Sequence, residues 1–380
     1  MTMKTEVLAL RLKGAEYIDP AHPGGQLTRN LALEETPLAE PREGEVLVAP
    51  LYVSVCGSDA SASLGKPNFS WVERPRTIGH EFSGRILDFG PHTAGWGGFK
   101  CGDLVTAIPQ RGCQDPRCRG CRRGRWNYCR RKRILGFHRD GAMARAVVLE
   151  ADRLVPLRYG LTPLQGAIVE PLSVVAQAMH RKCNIQPGMD VVVTGCGIIG
   201  LMCAELARAA GARVAVTGLE RDREMRLKFA EKRGFLPIVV SEKQPLHQQL
   251  KAGIRGPKGE RFGDEYEDGT VDVLLECSGS PAALGTAGLA VQLEGTVCVL
   301  ATYPTTVVLE ATPFVRAGQV LTGVMGSSRE DFETAQILLR DGLFRVEDYA
   351  RIYPFERALE ALADSMAAQT PKAIMEVNRP

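Results

Sequence analysis

The sequence predicts an α/β protein with two architectures, a compact β domain followed by a unit built on a parallel sheet. Three observations carry this. From Glu6 to about Val155, short apolar runs such as Glu45-Val-Leu-Val-Ala and Phe82-Ser-Gly-Arg-Ile-Leu are broken repeatedly by Gly and Pro. That is the pattern of short strands joined by turns. Next come Val191-Val-Val-Thr, a glycine-rich turn from Gly195 to Gly200, the helix-like Leu201 to Ala210 and the strand-like Ala212-Arg-Val-Ala-Val-Thr. Strand, turn, helix and strand in that order make a βαβ unit. The length of 380 residues accommodates two or three domains of roughly 100–200 residues each.

The other elements follow from periodicity. Between Leu161 and Cys183 the apolar spacing lengthens to that of a helix. Val271-Asp-Val-Leu-Leu and Gly295-Thr-Val-Cys-Val-Leu are further strand candidates, and Asp331 to Leu339 and Phe355 to Met366 are helix-like. The glycine-rich stretch Gly90 to Gly102 reads as a surface loop, and Lys251 to Gly269 as an exposed charged insertion. A hydrophobic fraction of 44% with 24% charged residues excludes disordered, collagen-like and coiled-coil classes. Met1 to Tyr17 holds no apolar run long enough for a secretory signal. Val191 to Met202, the most apolar region, is broken by three glycines and falls well short of the ~20 residues of a membrane span. A cytoplasmic location and no membrane partner are therefore expected.

Charge is unevenly placed. Residues 111–133 hold nine Arg, Lys132 and the single acid Asp115, a local +9 within a chain of net +3, which leaves −6 for the rest. The same stretch contains Cys113-x4-Cys118-x2-Cys121-x7-Cys129. Clustered cysteines without an export signal point to metal or catalysis before disulfides, and four thiolates in so short a stretch suit a closed tetrahedral Zn²⁺ site. Surrounding arginines offset the negative charge of such a site. A basic zinc lobe with Trp126 and Tyr128 is also a candidate phosphate-tracking surface. The remaining cysteines, Cys183, Cys196, Cys203, Cys277 and Cys298, read as small buried apolar groups.

Gly195-x-Gly197-x-x-Gly200 follows a strand and opens a helix, so the backbone N–H groups of Gly195, Gly197, Ile198, Ile199 and Gly200 can cradle a pyrophosphate. An acid that binds the adenosine ribose is expected at the end of the next strand, where this chain reads Thr217-Gly218-Leu219-Glu220-Arg221. Gly218 lifts the repulsion that excludes a 2′-phosphate and Arg221 or Arg223 can bind one, while Glu220 opposes it. NAD and NADP both stay open.

A third, dispersed constellation comprises Cys56-Gly-Ser58-Asp59, Gly79-His80-Glu81 and Glu170-Pro171-Leu172. Together these segments supply a thiolate, an imidazole and carboxylates, the donor types of a catalytic zinc site that keeps one position open. His138, before Asp140-Gly141, either contacts a substrate hydroxyl or fastens a turn.

In this order, with Gly-His-Glu-x2-Gly-x5-Gly from Gly79 to Gly90, these motifs resemble the zinc-dependent medium-chain dehydrogenase/reductase family over nearly the whole chain. Glu170-Pro-Leu-Ser, in place of a cysteine, and Leu135-Gly-Phe-His-Arg-Asp-Gly141 make the chain similar to the sorbitol/polyol and threonine dehydrogenase branch. The resemblance implies a GroES-like β catalytic domain over 1–171, containing the zinc lobe, and a Rossmann doubly wound domain over 172–312. A C-terminal segment over 313–380 completes the catalytic domain.

Position by position, the resemblance implies that Cys56, His80 and Glu170 bind a catalytic zinc, with Glu81 as a nearby or exchanging ligand. It makes Asp59 the partner that orients His80, and Ser58 the acceptor of the substrate hydroxyl proton. Cys113, Cys118, Cys121 and Cys129 would bind a structural zinc. The chain departs from the family at Ser61, where a histidine often completes the proton relay, and in the four-residue gap after Cys113, which makes Cys101 an alternative ligand. Extra residues from Pro91 to Lys100 and Gly218 are the other departures.

The expected activity is interconversion of a secondary alcohol and a ketone with NAD or NADP, on a polyol, sugar, sugar acid or cyclitol. A threonine-type amino-alcohol dehydrogenase is the nearest rival. A non-enzymatic nucleic-acid-binding protein using the basic lobe is the rival from another class, with nucleic acid not the expected partner. In relatives the four-cysteine lobe supports subunit packing, so a homodimer or homotetramer is implied.

Overall fold

The computed structural model describes residues 6–20, 23–256, 259–266 and 268–379. The first residues of the chain, His22 and part of the 251–269 insertion lie outside them. The chain divides into two compact units, Met1–Ser173 with Gly326–Pro380, and Val174–Met325.

The first unit is built on mainly antiparallel sheets, with one parallel pair between Ala350–Pro354 and Lys372–Glu376. Leu31–Pro37, Glu6–Leu12 and Arg76–Thr77 form a small three-stranded sheet. The larger sheet runs Leu154–Pro156, Leu104–Ala107, Glu81–Phe89, Glu45–Ser54, Lys372–Glu376 and Ala350–Pro354, with Val147–Glu150 also paired to Glu45–Ser54. Its centre is the aliphatic strand Glu45–Ser54, where Val46, Val48 and Val53 are fully buried. Branched side chains suit a pleated, covered surface. Two registers matter for the site. Ser54 lies opposite Glu81 on one side and opposite Ile374 on the other. The last strand of the chain thus enters the middle of a sheet begun more than 300 residues earlier. Helix Ala358–Met366 buries Ala358, Ala361 and Leu362 in the same core.

The second unit is a six-stranded parallel sheet. Its order is Leu236–Val239, Arg213–Gly218, Asp190–Thr194, Val271–Glu276, Val291–Val299 and Val320–Gly323. In chain order that is 3-2-1-4-5-6, the doubly wound Rossmann arrangement, whose ligand crevice opens where the order reverses. Asp190–Thr194 is buried along its whole length, as a central parallel strand covered on both faces must be.

The unit boundaries differ from the expected domains. The sequence reading ends the parallel domain at residue 312, but Val320–Gly323 pairs in parallel with Val291–Val299, Thr296 opposite Val320, and carries the unit to Met325. At the other end the chain passes between units inside the helix Val169–Arg181. The stretch Gly90 to Gly102 is largely loop, with one short 3₁₀ turn at Trp96–Gly98.

Candidate functional site

In the first unit, Cys56 ends the approach from the central strand and stands at the N-cap of the short helix Gly57–Ser63. Asp59, fully buried in that helix, reaches back to accept from the Cys56 backbone N–H at 3.2 Å. Its other oxygen accepts from Gly79 N–H at 3.3 Å and faces His80 Nδ1 at the same distance. One buried carboxylate therefore fixes both the thiol-bearing turn and the imidazole. Ser58 Oγ lies 3.1 Å from Cys56 Sγ.

Donor atoms of Cys56, His80 and Glu81 all lie within 4.8 Å of one another. This set differs from the one implied by resemblance, because Glu81 is inside it and Glu170 outside. Strand pairing explains the difference: Glu81 opens the strand opposite Ser54, whereas Glu170 comes from the first turn of helix Val169–Arg181. Glu81 is heavily engaged, since its Oε2 accepts from Ser54 Oγ and from Lys372 Nζ. The Glu170 carboxylate is buried and takes no hydrogen bond among the described residues.

Electrostatics fit a cation. Burial raises the Glu170 carboxyl to about 7, opposed by the charge of His80 and reinforced by Glu81. Burial also raises the Cys56 thiol, with Glu81 adding to it. Burial works against a charged His80, yet Asp59 and Cys56 outweigh it and the imidazole is pushed well up. Four acidic groups, Cys56, Asp59, Glu81 and Glu170, act on one another around a single buried imidazole, and a divalent ion would stabilise such groups in their ionised forms. Thiolate, imidazole and carboxylate are also donor types that zinc takes.

The Cys113, Cys118, Cys121 and Cys129 sulfurs likewise lie within 4.8 Å of one another. Cys113 is 3.8 Å from Cys121, and Cys118 is 3.7 Å from Cys129. A tetrahedron with Zn–S bonds of about 2.3 Å has edges of about 3.8 Å, so the spacing fits. The four-residue gap after Cys113 is taken up by Gln114 in a left-handed conformation, φ 58°. Cys101 is exposed and outside the group. A backbone N–H bond lowers the Cys118 thiol to about 7, while burial lifts Cys121 to about 12. Arg131 reaches Cys113 Sγ at 3.5 Å.

In the second unit the turn after Asp190–Thr194 has Gly195 at φ 93° and packed so tightly that a Cβ would meet Ser278 Cα at 2.8 Å. A Cβ on Gly200 would stand 2.0 Å from the Gly195 carbonyl oxygen. Gly197 is the N-cap of helix Ile198–Ala209, with no side chain capping the first turn and open space at its Cα. Uncapped N–H groups facing open space are an anion cradle. Gly200→Ala is expected to strain this turn by about 1–3 kcal/mol and to weaken NADH or NADPH binding about tenfold or more, measured by fluorescence titration.

Gly218 ends the second parallel strand, and a Cβ there would press on Cys196 Sγ at 2.9 Å and Leu227 Cγ at 3.0 Å. Glu220 is clamped by Arg223 at 2.6 and 2.9 Å. Arg221 is exposed, and its charge acts on the Cys196 thiol.

His138 Nδ1 accepts from the Ile134 backbone N–H at 3.2 Å, so one of its two readings, fastening the turn, is realised. Its ring also stacks on Trp71 with centroids 5.0 Å apart, and burial lowers its pKa. Phe137 links this pair to His80, 5.3 Å away. Lys372 and Ser54 were not anticipated, and no local signal marks them. Lys372 also donates to Val55 O at 2.9 Å.

Residues 42–159 match the family model described as alcohol dehydrogenase GroES-like domain, and residues 199–340 match the one described as zinc-binding dehydrogenase. The chain is 34% identical over 258 residues to the sorbitol dehydrogenase of Halalkalibacterium halodurans, covering 67% of this chain and 69% of that one. It is 30% identical over 356 residues to the L-threonine 3-dehydrogenase of Saccharopolyspora erythraea, covering 91% and 95%. A Sinorhizobium meliloti protein described as a zinc-binding dehydrogenase and solved with NADP superposes with TM-score 0.80 at 25% identity, covering 98% of this chain and all of that one. No helix among the described residues is long and apolar enough to cross a membrane. With the donor sets and the glycine cradle in place beside these likenesses, the chain belongs to the zinc-dependent medium-chain dehydrogenases, in the branch of the polyol and threonine dehydrogenases.

Proposed function

We propose that the protein interconverts a secondary alcohol and a ketone, with a polyol, sugar, sugar acid or cyclitol as substrate. The observation that carries this is the grouping of a partly buried thiol with a buried imidazole and a buried carboxylate, beside the Ser58 hydroxyl. Cys56, His80 and Glu170 hold the catalytic zinc, and Glu81 stands within reach as an exchanging ligand. Glu170 takes the third place because Glu81 is already engaged by Lys372 and Ser54. Zinc held there would supply Lewis acidity toward the substrate oxygen, and a bound nicotinamide cofactor would supply the hydride acceptor. Ser58 takes the hydroxyl proton and passes it outward, Ser61 standing where relatives place a histidine. Asp59 holds the His80 ring and the Cys56 turn in register, as an outer carboxylate does for a metal ligand. Cys113, Cys118, Cys121 and Cys129 hold the structural zinc, and the turn from Gly195 to Gly200 holds the cofactor pyrophosphate.

The relative named for L-threonine, which spans 91% of this chain, supports a second reading as an amino-alcohol dehydrogenase. The deciding experiment is a substrate screen with NAD⁺ and NADP⁺ across linear polyols, sugars, sugar acids, cyclitols and L-threonine. Oxidation of hydroxy compounds lacking an amine is expected, and turnover confined to threonine would replace the first reading with the second. We further read the protein as a cytoplasmic homodimer or homotetramer, and a monomer by light scattering would remove the assembly.

A further inference from the structure

We propose that the arginine-rich groove of the four-cysteine lobe is a binding surface for single-stranded nucleic acid, separate from the dehydrogenase site. The groove encloses about 730 Å³ and is lined by Arg117, Arg119, Arg123, Arg125, Arg130 and Arg131, with Tyr128 among them. Its charge is only partly answered. Arg117 and Arg131 share Asp115, and Arg125 reaches Ser328 and Glu330. Arg119, Arg123 and Arg130, with Arg122 beside them, are exposed and have no acidic partner among the described residues. A structural zinc site needs its cysteines and a modest balance of charge. It does not need a local +9 in a chain whose remainder is −6.

Several features select the ligand. Nine of the ten cations are arginine, whose planar fork matches phosphate oxygens and whose face stacks on bases. Tyr128 is 45% exposed, and a half-exposed aromatic in a basic groove is the stacking element of single-strand binders. The helix Arg119–Arg122 is one turn long, too short to enter a duplex major groove and read base edges. A concave surface without exposed aliphatic side chains does not suit a membrane. A two-fold contact between copies centred on this groove would oppose the lobe's charge to itself, so subunit packing by the lobe is assigned to its other faces and leaves the groove open.

The test uses the zinc-loaded full chain and a labelled oligouridylate of about 15 nucleotides, followed by fluorescence anisotropy. Four phosphate contacts on a single strand give a slope of log K against log salt of about −2.8, hence a loss of about 50-fold between ~50 and ~200 mM salt. Arg119→Gln/Arg123→Gln/Arg130→Gln should reduce the slope to about −0.7 with zinc content and dehydrogenase turnover unchanged. Arg123→Gln alone should remove about 0.7 of the slope, so the proposal stays testable if the triple variant misfolds. Tyr128→Ala should weaken binding about tenfold. Absence of salt-dependent binding to the oligouridylate overturns the proposal. So does equal affinity for heparin, which has no bases, combined with no effect of Tyr128→Ala. A change in assembly mass caused by the arginine variants would instead make the groove a contact between copies, and would overturn it too.

Discussion

Cys56→Ala is expected to reduce turnover by at least about 10³-fold while the four-cysteine group keeps its metal. The magnitude follows from position. Outer-shell partners of a metal typically contribute about 10–100-fold, and Cys56 offers a donor atom itself, within 4.8 Å of those of His80 and Glu81. Asp59→Asn should fall in that lower range. It keeps the side-chain shape, but the amide replaces one of the two oxygens that serve the Cys56 N–H and the Gly79–His80 turn. Elemental analysis alongside kinetics separates the cases, with one zinc lost in Cys56→Ala and partial occupancy in Asp59→Asn. Turnover at the wild-type rate in Cys56→Ala would remove the metal mechanism, whatever the fate of the lobe.

Sequence reading worked best where spacing alone encodes geometry. Cys113, Cys118, Cys121 and Cys129 fall within one short segment, so any compact path gathers their sulfurs. The turn from Gly195 to Gly200 sits between a fully buried strand and an apolar helix, which the residue pattern states directly. Failures arose where the information is long-range or weak. The strand Val320–Gly323 is largely exposed, so it carries little of the buried aliphatic signature that identified its neighbours, and only its pairing with Val291–Val299 reveals it. Whether Glu81 or Glu170 stands nearer Cys56 depends on sheet register and on the approach of a helix, neither of which is written locally. His138 could be read two ways because the Ile134 N–H that it fastens lies on the backbone, invisible in side-chain patterns. Lys372 was unreadable for the plainest reason, being 291 residues from the carboxylate it meets.

Lys372→Met should be among the most destabilising single changes in the first unit. Lys372 and Glu81 side chains are each only 2% exposed, and the ammonium also holds the Val55 carbonyl. An intact buried ion pair adds little over a well-packed apolar pair, but removing one partner strands the other charge, at a cost of about 3–5 kcal/mol. For a unit of about 150–250 residues that cost corresponds to a fall of about 6–20 °C in Tm. Two controls distinguish a stranded charge from lost packing. Lys372→Met combined with Glu81→Gln should recover much of the loss, because no unpaired charge remains. Zinc-loaded Lys372→Met should lose less than the chelator-stripped protein, since a cation bound beside Glu81 replaces the missing positive charge and a ligand that binds only the native state stabilises it. Equal losses in all three proteins would mean that Lys372 acts through its methylene packing, and Glu81 would then need no counter-charge from the C-terminal strand.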